Sequence, residues 1–205
     1  MLRRRLDLNL FTENDIQTAR LASAEMKKSL IVVPHSVQSY FDLANFYLAM
    51  SRLDKRNLAL AEAVAEQGLH EAPRRFDAYE LLGQIKVQAG NFQDSLTYFQ
   101  TATRLNEQNP DSHFTLGLVS IINKQYQAGE AEIEKAHDLK LDIYLQSNVD
   151  RIITAYRQTG DQAALVNFLK RFSQRFPSDT FRTPTRVYLL QLYQAEAKKL
   201  SAQKK

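Results

Sequence analysis

Four histidines, three closely spaced glutamates and a basic C-terminal third are the groups in this 205-residue sequence that could do chemistry. A metal site built on a helix wants two ligands one turn apart, as in HExxH. His35, His70, His113 and His137 offer no such pair, and the absence of cysteine removes thiolate ligands, a thiol nucleophile and disulfides together. Glu130, Glu132 and Glu134 could act as paired carboxylates in acid–base catalysis. Alternate spacing puts them on different helix faces, so a solvated face is the plainer reading. His113 falls in an apolar slot of its helix and reads as a packed core residue. No GxxxxGK[ST], GxGxxG or GxSxG string is present. The sequence therefore reads as a non-enzyme, with no catalytic residue, no cofactor and no metal.

The net charge of +4 is unevenly placed: residues 146–205 carry 11 Lys/Arg against 4 Asp/Glu. That excess could meet nucleic acid, an anionic membrane surface or an acidic protein face, or be the solvated surface of terminal helices. Only 6 Gly and 5 Pro are present, too few turn residues for an all-β sandwich or barrel. The opening MLRRRLDLNLF is basic but lacks the apolar stretch of a signal peptide. Apolar runs such as Leu30–Val33 fall far short of the ~20 residues a transmembrane helix needs. The expectation is a chain without a membrane span and a cytoplasmic location, or an extracytoplasmic one if the chain is part of a longer membrane protein.

The elements that position these groups follow from a repeat. A shift of 34 residues carries Leu82 onto Leu116, Gly83 onto Gly117, Phe92 onto Tyr126 and Phe99 onto Ile133. The same shift carries Ala102 onto Ala136 and Leu105 onto Leu139, all without a gap. Each unit reads as two amphipathic helices, 75–89 with 92–106 and 110–123 with 126–140. Asn109–Pro110 supplies a cap and a first-turn proline. Gly83 and Gly117 lie inside helices, where glycine costs up to ~1 kcal/mol against alanine. A close approach of two helix backbones would explain them.

Tyr79-x-x-Leu82-Gly83 with Ser95-x-x-x-Phe99-x-x-Ala102, and His113-x-x-Leu116-Gly117 with Gly129-x-x-x-Ile133-x-x-Ala136, resemble the tetratricopeptide repeat. Lys86 and Ser120 depart from it where an aromatic is usual. Flanking units follow the same template. Tyr40-x-x-Leu43-Ala44-x-x-Tyr47 precedes Ala61-x-x-x-Ala65-x-x-Gly68, with five extra residues near Ser51–Asn57. Val149-x-x-Ile152-Ile153-x-x-Tyr156 precedes Leu165-x-x-x-Leu169-x-x-Phe172, with a two-residue insertion near Lys140–Ile143. The expected organisation is an N-terminal half-repeat over 1–36, opened by Thr12 with Asp15, then four helix pairs at 37–75, 76–109, 110–145 and 146–179. A capping helix and basic tail occupy 180–205, with Val187, Leu190, Tyr193, Ala197 and Leu200 on its inward stripe.

The resemblance implies an all-α fold, a right-handed α-α superhelix of antiparallel helix pairs whose first helices line a concave groove. By repeat register the groove residues would be Phe41, Asn45, Leu48, Asp77, Glu80, Gln84, Val87, Phe114, Leu118, Ile121, Asp150, Thr154 and Arg157. Phe114, Leu118 and Ile121 recur at i, i+4, i+7 and must bury against a ligand, a neighbouring element or a second copy. Asn45 sits where one Asn of the family's carboxylate clamp would, but Phe41 and Glu80 depart from that clamp, so it is not carried over.

The implied function is a protein-interaction module, a scaffold or adaptor holding a peptide or protein segment. Three alternatives stay open. The chain could be the repeat region of a bacterial envelope protein, such as an O-antigen-type polymerase or ligase. It could be an RNA-binding helical repeat, the basic residues Arg151, Arg157, Lys170, Arg171, Arg175, Arg182 and Arg186 favouring this and the acidic central units opposing it. It could use its apolar stripe to form a homodimer.

Overall fold

The structure is a computed structural model that describes residues 13–33, 35–176 and 183–203. The described residues form α-helices joined by turns, and they fall into two compact units, residues 1–106 and 107–205. Unit 1 holds α1 (Glu13–Val32), α2 (Val37–Met50), α3 (Arg56–Glu71), α4 (Phe76–Ala89) and α5 (Phe92–Leu105). Unit 2 holds α6 (Pro110–Ile122), α7 (Tyr126–Asp138), α8 (Gln146–Gln158), α9 (Gln162–Arg175) and α10 (Thr183–Gln203). The expected Thr12–Asp15 cap lies outside the described residues and side chains.

Local chemistry sets the helix ends. Asn109 accepts from the amides of Asp111 and Ser112, and Pro110 occupies the first turn of α6. Asn91 and Asp161 cap α5 and α9 by accepting from Asp94 N and Ala164 N. Gly90 ends α4 at φ 80°, a left-handed conformation suited to glycine, and lets the Asn91 amide return to the Lys86 carbonyl. The α2–α3 link, residues 51–55, absorbs the extra residues of the first repeat.

In unit 1 the core is built from Leu43, Ala44 and Tyr47 of α2, Ala61 and Ala65 of α3, and Leu82 and Ile85 of α4. Met26 and Leu30 of α1 pack on it, while Leu21, Ile31 and Val32 remain exposed. In unit 2, α6 and α7 cross at two glycines. A Cβ added at Gly117 would lie 2.7 Å from the Gly129 carbonyl oxygen, and one added at Gly129 would lie 2.7 Å from that of Gly117. Close backbone approach is therefore the reason for glycine at 117.

The insertion before α8 is used structurally. Lys140 turns the chain at φ 77°, and Ile143 and Tyr144 enter the core. Tyr144 stacks on Phe172, which continues through Phe168 to Tyr156 and Tyr126, with centroid separations of 4.7–5.5 Å. The inward stripe of α10 differs from the expected one. Thr185, Leu189 and Glu196 are buried, with Tyr188, Leu192 and Tyr193 against the core, whereas Val187 and Leu190 are exposed. Both stripes have helical spacing and share Tyr193, and the buried one sets Leu189 in the core while Glu196 bonds Arg157 of α8 and Gln162 of α9.

Candidate functional site

The first helices of the pairs, α2 and α4 in unit 1 and α6 and α8 in unit 2, carry the expected groove residues. Five of those residues are corrected by burial. Phe41 and Leu48 belong to the core of unit 1, and Phe114, Leu118 and Ile121 to that of unit 2, Leu118 with one edge on a surface depression. Ile121 faces α7, where its Cγ1 would stand 2.7 Å from a Cβ at Gly129. Phe41 lies against Gly68 of α3 and carries the Arg75 guanidinium 5.0 Å above its ring. The surplus apolar stripe of α6 is thus satisfied inside its own unit.

The polar members are more accessible. In unit 1, Asn45 and Gln84 are exposed, and Asp77, Glu80 and Val87 are half-buried. The Asn45 side-chain amide donates to the Phe41 carbonyl at 2.9 Å, and Asp77 is held by Arg75. In unit 2, Asp150, Thr154 and Arg157 are exposed on α8. Arg157 is drawn to Glu196 at 3.2 Å.

Three expected residues meet in one place. Leu118, Asp150 and Thr154 line a depression of about 300 Å³ between α6 and α8, together with Ile122, Arg151 and Gln158. Thr154 donates to the Asp150 carbonyl at 2.7 Å, and Asp150 accepts from Gln146 at 3.0 Å, so the rim is ordered by local bonds. Arg151, which the sequence reading used only as part of a basic bias, is the informative member. Its guanidinium lies 4.7 Å from the centroid of Phe114. Burial pushes its pKa down, and only the through-space pull of Asp111 opposes that shift. The depression thus combines an exposed arginine set over an aromatic ring, apolar walls and short hydrogen-bonding side chains.

The glutamates are not a solvated face. Glu130 and Glu134 share one side of α7 and bind Arg171 (2.5 Å) and Arg175 (3.0 Å) of α9. Glu130 also accepts from the Tyr156 hydroxyl, whose pKa is raised far above its ordinary value by burial and by that bond. Glu132 points elsewhere, to Nδ1 of His113 at 2.6 Å. His113 is buried, and its Nε2 lies 3.0 Å from the Glu107 carbonyl oxygen, so both ring nitrogens are occupied by structure. The side-chain partners of the three glutamates lie 19 to 41 residues away in sequence, beyond any local motif.

Among the described residues no group of three or more His, Asp or Glu side chains could hold a metal ion. No described helix is long and apolar enough to cross a membrane.

Comparison with known proteins agrees with the helical pairing. A family model described as Tetratricopeptide repeat matches residues 46–110 and again 81–140. Among solved structures, MamA aligns with a TM-score of 0.55 at 21% identity, over 78% of this chain and 92% of its own. YrrB, described as a TPR protein with an unusual peptide-binding site, aligns at 0.57 and 15% identity, over 93% and 90%. PilF of Pseudomonas aeruginosa aligns at 0.58 and 15% identity, over 98% and 90%. With the 34-residue spacing and the glycine crossing of α6 and α7, the family match identifies tetratricopeptide repeats over residues 46–140 of this chain.

Proposed function

We propose that this chain is a protein-interaction module whose unit 2 holds an extended protein segment in the depression between α6 and α8. The observation that carries this reading is Arg151. A guanidinium stacked on Phe114, partly desolvated and beside Leu118 and Ile122, is suited to an acidic side chain that neighbours an apolar one. Thr154 and Gln158 supply donors and acceptors for the segment's backbone. The similarity to YrrB, whose description includes a peptide-binding site, agrees with a peptide as the ligand class. The RNA alternative loses support, because Arg157, Arg171 and Arg175 already face Glu196, Glu130 and Glu134.

Phe114 and Ile121 are unsuitable probes of binding, since both are core residues whose truncation would unsettle unit 2. Thr154→Ala and Arg151→Gln are better, because these exposed side chains line the depression. A peptide library displayed on phage should be selected against the wild-type chain. Enriched sequences should pair an acidic with an apolar residue, and a synthetic consensus should bind Arg151→Gln about tenfold more weakly. A selection without consensus, or equal binding by both variants at unchanged helical circular dichroism, would overturn the reading.

A further inference from the structure

One side of α1 packs on unit 1, and the other is left open among the described residues. The inward stripe is Ala19, which meets Met50, with Met26 and Leu30 against the core of unit 1. At ~100° per residue, the opposite side of the helix carries Leu21, Glu25, Lys28 and Val32. Leu21 and Val32 are 69% and 78% exposed, and Ile31, on the flank of this stripe, is 79% exposed. Between the two apolar ends Lys28 donates to Glu25 at 2.6 Å, and both side chains are exposed. Single apolar residues at a surface need no explanation, but three on one side of a helix make a face.

The stripe has the same spacing from either end: steps of four, three and four residues separate Leu21, Glu25, Lys28 and Val32. Turned end over end about the point between residues 26 and 27, it sets apolar on apolar and acid on base. Two such helices laid antiparallel bring Leu21 to Val32 and Glu25 to Lys28, twice over by symmetry. A parallel pair in register would set Glu25 on Glu25 and Lys28 on Lys28, which repels. An isologous interface between identical chains requires a patch that complements itself under a two-fold rotation, and this stripe meets that requirement. We propose that two copies of this chain associate through an antiparallel α1–α1 contact. A helix of 20 residues is ~30 Å long, and on its twin it buries on the order of 1,000 Å², the lower end for specific interfaces. The pairing is therefore reversible. It shares no residue with the α6–α8 depression, so the two proposals stand or fall separately.

Sedimentation equilibrium of the full chain over about 1–500 μM tests this, since an interface of that size dissociates within the range. The mass should rise from 23.6 kDa to twice that value and stop there. Glu25→Lys and Lys28→Glu each turn two attractions across the two-fold axis into two repulsions, and each should weaken association about tenfold. An equimolar mixture of the two variants should regain the dimer, because every pair across the contact is then complementary. The chain carrying both changes should regain it as well. Rescue by exchange of charge, at unchanged helical circular dichroism, separates lost pairing from lost folding. A chain that stays monomeric throughout would overturn the proposal and leave the face to residues 1–12 of the same chain or to a different protein. Masses that climb past two copies, the mark of a head-to-tail contact, would overturn it too, as would a dimer that neither charge variant weakens.

Discussion

Replacing Gly117 by alanine sets two effects of opposite sign against each other. In an exposed helix interior the change would stabilise by up to ~1 kcal/mol through backbone entropy. Here the new methyl would stand 2.7 Å from the Gly129 carbonyl oxygen and 2.7 Å from Ile133 Cγ1, with Ile133 N at 3.2 Å. Ordinary contacts need ~3.5 Å or more, so α6 and α7 must part by several tenths of an ångström. The nearest obstacle is backbone, which cannot rotate away. Overpacking of this kind costs about 1–3 kcal/mol, and the upper end applies because the separation also loosens the contacts flanking the crossing. The net expectation is a destabilisation of ~2 kcal/mol, a fall in Tm of roughly 4–8 °C for a chain of this size.

Thermal and urea melts followed by far-ultraviolet circular dichroism read this directly. Gly129→Ala meets the same crossing from the other side, so it should cost a similar amount. The double variant should cost less than the sum, since the second methyl enters a gap the first has opened, with a coupling of ~1 kcal/mol. A Tm that rises in Gly117→Ala would refute the reasoning, because it would mean that propensity outweighs contact at this point. Strict additivity of the pair would refute it too.

Other variants separate further features. Gly90→Ala should destabilise by ~1 kcal/mol from its φ of 80° alone, since nothing lies within 4 Å of the added methyl, and a urea midpoint checks it. Burial opposes the charge on Glu196, yet bonds from Gln162, Lys199 and Arg157 outweigh it and hold the carboxyl below its ordinary value. Its contribution is therefore complete above the unfolded value of about 4.3 and is lost as pH falls through the lower folded value. Glu196→Gln should flatten that acid limb of a stability–pH profile. Tyr156→Phe should cost ~1 kcal/mol in a urea melt by removing the donor to Glu130 from a buried position.

The helix pairs were legible because they rest on local and periodic signals. Asn109–Pro110, Asn91 and Asp161 cap where their types suggest, and the aligned glycines at 83 and 117 mark one helix position in two repeats. The exposed face was less legible. A helix in a stack has neighbours on more than one side, and register alone does not say which apolar stripe faces a neighbour. Hence Phe114, Leu118 and Ile121 all went inward, Leu118 keeping only an edge on a depression. Arg151 carried no motif, and its character comes from lying over Phe114, 37 residues earlier. The rungs from Glu130 and Glu134 to Arg171 and Arg175 likewise depend on partners 41 residues away. On α10, two stripes of equal periodicity compete, and the buried one includes Leu189 and also Glu196, whose value lies in its partners and not in its hydropathy.

The paired glycines of α6 and α7 also act as a rotational index. Their backbones meet at one point, so a turn of α6 by a single residue, 100° about its axis, would bring Leu116 or Leu118 to the crossing in place of Gly117 and drive a full side chain into the carbonyl of Gly129. No neighbouring phase is open to the helix. The contact therefore dictates which side of α6 shows Leu118 and Ile122 to the depression it shares with Arg151, and it does so from the opposite flank of the helix. A residue with no side chain decides what lines the depression.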